Sequence, residues 1–130
     1  MSLQKTTPIL LAGDVPACVK FWAEFGLECV LAVPEDDASM FAIVSNGSAE
    51  IMYQSKASIT ADDAAVVDGV DKSIVYVEVE SLADILSTVT RHPIVKPEHK
   101  APYGATEIYI RDPAGNVIGL AEFPNTQESS

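Results

Sequence analysis

Apolar and polar positions along the chain follow one order twice. Residues 7–12 form a short apolar run of strand length, stopped by Gly13-Asp14. Asp14 predicts a helix N-cap, because its carboxylate can accept from the free N–H groups of a first turn. Pro16 suits that turn, where its missing N–H costs little. Val15, Cys18, Val19 and Trp22 fall at i, i+3, i+4 and i+7, one apolar stripe, and Gly26 closes the helix at C′. Residues 27–33, 40–44 and 49–54 then read as strands, separated by turns at 34–37 and 45–48.

Residues 55–71 are rich in Ala, Ser and Asp, show no clear period, and predict a linker or a loose helical turn. After them the order returns. Residues 73–79 (SIVYVEV) alternate as a strand with two different faces. Ser81 with Asp84 resembles a capping box, Asp standing in for the usual Glu. Leu82, Ile85, Leu86 and Val89 make the helical stripe, and His92-Pro93 ends it. Strands follow at 94–97, 106–111 and 117–123, the last two joined by a turn at 112–116. The two caps, Asp14 and Ser81, stand 67 positions apart. Five elements recurring in order predict two related modules. The expected organisation is an N-terminal arm at 1–6, modules at 7–54 and 73–123, a linker at 55–72 and a flexible tail at 124–130.

Composition narrows the function. A chain of 130 residues fits one domain or two half-size units. An apolar fraction of 48% excludes disorder. A net charge of −11 argues against nucleic acid and against an anionic membrane surface, and leaves neutral or cationic small molecules as partners. Most of that charge reads as solubility. No run reaches the ~18 apolar residues of a spanning helix. The first eight residues lack the apolar core of a signal peptide, so a cytoplasmic location is expected. Cys18 and Cys29 do not make a disulfide framework and are expected to be small buried thiols.

Three segments carry a family resemblance. They are Asp14-Val15 leading to Lys20-Phe21-Trp22 and Gly26-Leu27; residues 49–54 (AEIMYQ); and Tyr103-Gly104 followed by 111–118 (RDPAGNVI). In these the chain resembles the vicinal oxygen chelate superfamily, which includes glyoxalase I, bleomycin-resistance proteins and extradiol dioxygenases. The resemblance implies an α+β fold: tandem βαβββ modules forming an incomplete eight-stranded mixed barrel, helices on the convex face and ligand on the concave one. It also implies a homodimer. Family enzymes hold a divalent metal at four places, which fall here at Thr7, Glu50, Ile74 and Gly119. Only Glu50 can ligate well, and one carboxylate does not satisfy such an ion. No metal and no cofactor are therefore expected.

Strand alternation lists the concave face. Ile51, Tyr53, Val75, Val77, Ile108, Ile110, Ile118 and Leu120 turn toward the helices. The candidate ligand-binding residues are then Glu50, Met52, Gln54, Tyr76, Glu78, Glu107, Tyr109 and Arg111, joined by Tyr103, which precedes the seventh strand and is a candidate gate. Glu50 is the one candidate catalytic group. Each has a plainer role available: Arg111 in a structural ion pair, Glu78 at a wet rim, Tyr76 and Tyr109 in the core. Trp22 is expected to be core packing, His92 a helix terminator and His99 a solvated loop residue. The expected function is metal-free binding of an apolar or cationic small molecule, like a drug-sequestering resistance protein. The alternative is an atypical lyase, isomerase or dioxygenase-like enzyme using a cavity carboxylate, its pKa raised by burial, or a non-standard metal site.

Overall fold

The computed structural model describes residues 2–34 and 39–124. Most of the predicted turn at 34–37 and of the predicted tail at 124–130 lies outside them. The chain divides into two units, Met1–Lys72 and Ser73–Ser130.

In the first unit Asp14 caps helix α1 (Val15–Ala23), its side chain accepting from the Ala17 N–H at 3.1 Å. Gly26, at φ +88°, ends the helix: its N–H bonds the Ala23 carbonyl, and the Leu27 N–H reaches back to Trp22. That left-handed φ is the reason for glycine there. Strands β1 (Ile9–Leu11), β2 (Glu28–Val33), β3 (Phe41–Ser45) and β4 (Glu50–Gln54) form one sheet in the order β1-β4-β3-β2, with β1 parallel to β4. Burial alternates along β3 and β4. Leu10, Ala42, Val44, Ile51 and Tyr53 turn inward with Val15, Cys18, Phe21 and Trp22 of α1. The Trp22 indole N–H donates to the Tyr53 hydroxyl at 2.8 Å, so the core of this unit contains a satisfied polar pair.

Two expectations change here. Residues 55–71 hold helix α2 (Lys56–Asp63) and a 3-10 turn (Ala64–Val67). Ser55 caps α2 by accepting from the Ser58 N–H, and Ile59 and Val67 are the buried anchors. Two anchors eight positions apart leave too sparse a stripe to show as a period. Cys29 is exposed, because β2 is an edge strand open on both faces; Cys18 is buried as expected.

The second unit repeats the plan. Strands β5 (Ile74–Glu78), β6 (Ile94–Lys100), β7 (Thr106–Arg111) and β8 (Val117–Glu122) order as β5-β8-β7-β6, with β5 parallel to β8. Ser81 caps helix α3 (Leu82–Val89) by accepting from the Asp84 N–H, and Glu122 of β8 accepts from the Leu82 N–H at 2.8 Å. Leu82 and Val89 are buried, while Leu86 of the predicted stripe is exposed. The register itself repeats: Ile9 faces Met52 and Tyr76 faces Gly119, each residue 67 positions from its counterpart.

The β7–β8 turn is a clamp. Asp112 Oδ1 accepts from the N–H groups of Ala114 and Asn116, and its Oδ2 accepts from the Asn116 side-chain amide. The Asn116 Oδ1 in turn accepts from the Ser73 N–H at 2.9 Å, fixing the entry to β5. Gly115 takes φ +89°; Asn116 does not have a positive φ, so it stands there for its side chain. Asn116 is fully buried with all these bonds made.

Candidate functional site

The second unit brings three polar side chains to one carboxylate. Strand β8 carries Gly119 and Ala121 on the face turned away from α3, and neither projects far. Side chains from β5 and β7 therefore meet above the strand that separates them. Tyr76 of β5 donates its hydroxyl proton to Glu107 Oε2 on β7. Tyr103 donates to the same oxygen from the turn between β6 and β7. That turn is pinned by the buried Ala101 and Ala105 beside Ala121, and closed by bonds from Ala101 N–H to Ala105 and from Gly104 N–H to Ala101.

The other carboxylate oxygen faces His99, directly across the β6–β7 ladder, with Nε2 at 2.9 Å from Oε1. The second ring nitrogen, Nδ1, lies 2.9 Å from the Pro97 carbonyl and can only donate to it. His99 completes both bonds when the ring carries two protons. The ring stacks on Tyr109 at 6.0 Å and 10°. The Tyr109 ring fills the space over Gly119: a Cβ at 119 would stand 2.6 Å from its Cε2 atom.

Glu107 is 3% exposed, yet its carboxyl is held below the ordinary carboxylate range, first by the Tyr103 hydroxyl and then by that of Tyr76. Tyr76 is pushed up by desolvation and then by the Glu107 bond, and Tyr103 chiefly by Glu107. Desolvation and the Glu107 charge also raise Tyr109. The folded state thus favours ionised Glu107. Its contribution to stability is present above the ordinary value of 4.5 and is lost as pH falls through the lowered folded value. Denaturant unfolding followed by circular dichroism should accordingly lose stability less steeply below pH 4.5 in Glu107→Gln than in the parent. Equal slopes would remove Glu107 from the acid response.

In the first unit Glu50 begins β4 and has its own partners. The Thr7 hydroxyl donates to Oε2 at 2.6 Å, and the Lys5 ammonium sits 3.0 Å from the same oxygen. Both hold the Glu50 carboxyl below its ordinary range, Thr7 most. This reverses the raised pKa on which a general-base role depended. Gln54 bonds the Ser58 hydroxyl of α2 at 3.1 Å, and Met52 lies between them on β4, half-buried.

The four metal places do not fit a divalent ion. Glu50 is already compensated by an ammonium, Ile74 has no donor atom, and Tyr109 occupies the room a side chain at 119 would need. Among the described residues, no three His, Cys, Asp or Glu side chains converge on a common point.

Comparison with solved structures adds the fold's relatives. A lactoylglutathione lyase from Agrobacterium tumefaciens is 24% identical, with a TM-score of 0.71 over 94% of this chain and 95% of that one. A glyoxalase/bleomycin resistance protein/dioxygenase family enzyme from Burkholderia phytofirmans PsJN is 14% identical, with a TM-score of 0.74 over 91% and 97%. A bleomycin-binding protein complexed with bleomycin is 16% identical, with a TM-score of 0.63 over 94% and 100%. The fold is that of the glyoxalase/bleomycin resistance/dioxygenase superfamily. It is the fold the sequence resemblance implies, an α+β arrangement with, among the described residues, two mixed four-stranded sheets and three helices. No family model and no curated protein sequence matches the chain.

Of the residues singled out from sequence, Tyr76, Tyr103 and Glu107 are brought together, with Tyr109 beside them. Glu50, Met52 and Gln54 lie in the other unit. Glu78 is exposed at the end of β5. Arg111 bonds the Gly115 carbonyl at 2.7 Å and braces the hairpin, and the ring opposite Glu107 is that of His99. His99 was expected in a solvated loop. It is on β6 because that strand runs three residues past the predicted end, through Pro97, which an edge strand tolerates. The signal lay in length: a strand matching β7 must continue to Lys100, opposite Thr106. Tyr76, 43% exposed, is not a core residue.

Proposed function

We propose that this protein binds a small organic molecule on the face of the second unit that carries Glu107, without catalysing a reaction on it. The observation that carries this reading is a buried carboxylate roofed by solvent-facing rings. Tyr103 is 60% exposed, Tyr76 43% and Phe123 38%, a concentration of aromatic surface that water alone does not favour. Tyr103 stacks on Phe123 at 6.1 Å, and Tyr76 meets Phe123 edge-on at 6.4 Å. Ring faces over a carboxylate suit an apolar or cationic guest. The bleomycin complex of a protein with this fold supports the same use. A carboxylate held below its ordinary range is a weak base, which favours binding over proton abstraction at both Glu50 and Glu107.

In this reading the protein works as a cytoplasmic homodimer of the drug-sequestering kind and uses no cofactor. Exposed Val30, Leu31 and Val33 on edge strand β2 support the dimer. Calorimetric titration and thermal shift with bleomycin, small aromatic amines and neutral aromatic compounds test the binding. At least one class is expected to give heat and a raised Tm that Tyr103→Ala weakens. Silence from all three classes sinks the proposal.

A further inference from the structure

Counting protons at the Glu107 site shows which guest it can recognise. Each phenol has one hydroxyl proton. Tyr76 and Tyr103 both direct theirs to Glu107 Oε2. Their two hydroxyl oxygens lie 3.1 Å apart, and no proton remains to join them. The outward lone pairs of both are therefore acceptors without a donor. Glu107 is ionised and adds only acceptor capacity. The two His99 ring nitrogens are engaged with Oε1 and with the Pro97 carbonyl, and offer nothing to a guest at Oε2. Arg111 is bound to Gly115. Among the described residues bonded to Glu107, the side toward solvent is thus made of acceptors and ring faces.

We propose that this site selects a guest whose head group is an N–H-bearing cation, a primary ammonium or an amidinium, attached to an aromatic body. The head supplies the protons that the two hydroxyl oxygens lack, in charge-assisted hydrogen bonds. The body lies against Tyr103 and Phe123, whose exposed faces favour aromatic and cationic neighbours. A quaternary ammonium satisfies the rings and not the oxygens. A carboxylate or other acceptor-only guest meets lone pairs with lone pairs. The assignment rests on the binding reading above and adds to it a requirement for donors.

The test is a set of four benzyl probes of similar size: benzylamine, benzyltrimethylammonium, benzyl alcohol and benzoate. Binding is followed through the backbone amide NMR shifts of the Tyr103 turn and β7. Benzylamine is expected to bind at least about tenfold more tightly than benzyltrimethylammonium, the loss that goes with a charge-assisted hydrogen bond. Benzyl alcohol should bind more weakly than benzylamine, and benzoate should not bind. Tyr103→Phe removes one acceptor and no ring, so it should narrow the gap between the two cations. Glu107→Gln should weaken both. Tyr103 is on an exposed turn, so its variant keeps the test available if Glu107→Gln fails to fold. Equal binding of the two cations, unchanged by Tyr103→Phe, or tighter binding of benzoate, overturns the donor requirement while leaving the binding reading intact. No shift with any of the four, together with silence from bleomycin, removes both.

Discussion

Trp22→Ala should be the most damaging single change in the first unit, costing about 3–5 kcal/mol. The indole is 1% exposed, meets Phe21 edge-on at 5.2 Å, lies 6.1 Å from Phe25 and donates to Tyr53. Truncation removes the area that holds α1 on its sheet and leaves a cavity behind. Against a typical total of roughly 5–15 kcal/mol, such a loss brings the unit near its threshold. The expected drop in Tm is about 10–20 °C. Thermal unfolding by far-ultraviolet circular dichroism measures it, since the variant has no tryptophan left to follow. A drop under ~3 °C would show that the indole is replaceable packing.

Gly119→Glu should be the corresponding lesion in the second unit, and an informative one because its cause is separable. Gly119 has an ordinary backbone conformation, so a side chain there is opposed only by what it meets. What it meets is the Tyr109 ring at 2.6 Å. The ring is itself stacked on His99, so it cannot yield without disturbing the partner of Glu107. Overpacking of this kind costs about 1–3 kcal/mol. The double variant Gly119→Glu, Tyr109→Ala should recover a large part of that, because the clash and the ring are removed together. Chemical denaturation of parent, single and double variants closes the cycle. If the double variant is as unstable as the sum of two independent lesions, the steric account fails. A related consequence is that placing a carboxylate at position 119 is not a one-residue change in this chain.

Much of the architecture was legible because it is local. Asp14, Pro16 and Gly26 define the ends of α1 through backbone chemistry within a few residues, and Ser81 does the same for α3. Alternation in β4 and β7 placed Tyr53 and Ile110 inward, and both are buried; Glu107, placed on the opposite face of β7, is buried as well. The bonds that make the site are not local. Tyr76 lies 31 positions from Glu107, and their meeting depends on the two small residues of β8 between them. His99 depended on how far an edge strand continued past a proline. Arg111 makes its bond along the chain, to Gly115, rather than across the sheet. The helical character of 56–63 rested on one cap and one anchor, below what periodicity resolves.

The aromatic residues are also divided between the halves in a way that labels them. The single tryptophan is in Met1–Lys72, where its indole bonds the one tyrosine of that half. The remaining tyrosines, Tyr76, Tyr103 and Tyr109, are all in Ser73–Ser130, around one carboxylate. Red-edge excitation reports on the indole alone, and phenol absorbance is dominated by the other half. The protein therefore carries two intrinsic chromophore sets. Melting of the core behind α1 and events at Glu107 can be followed as separate colours in one cuvette, with no added dye.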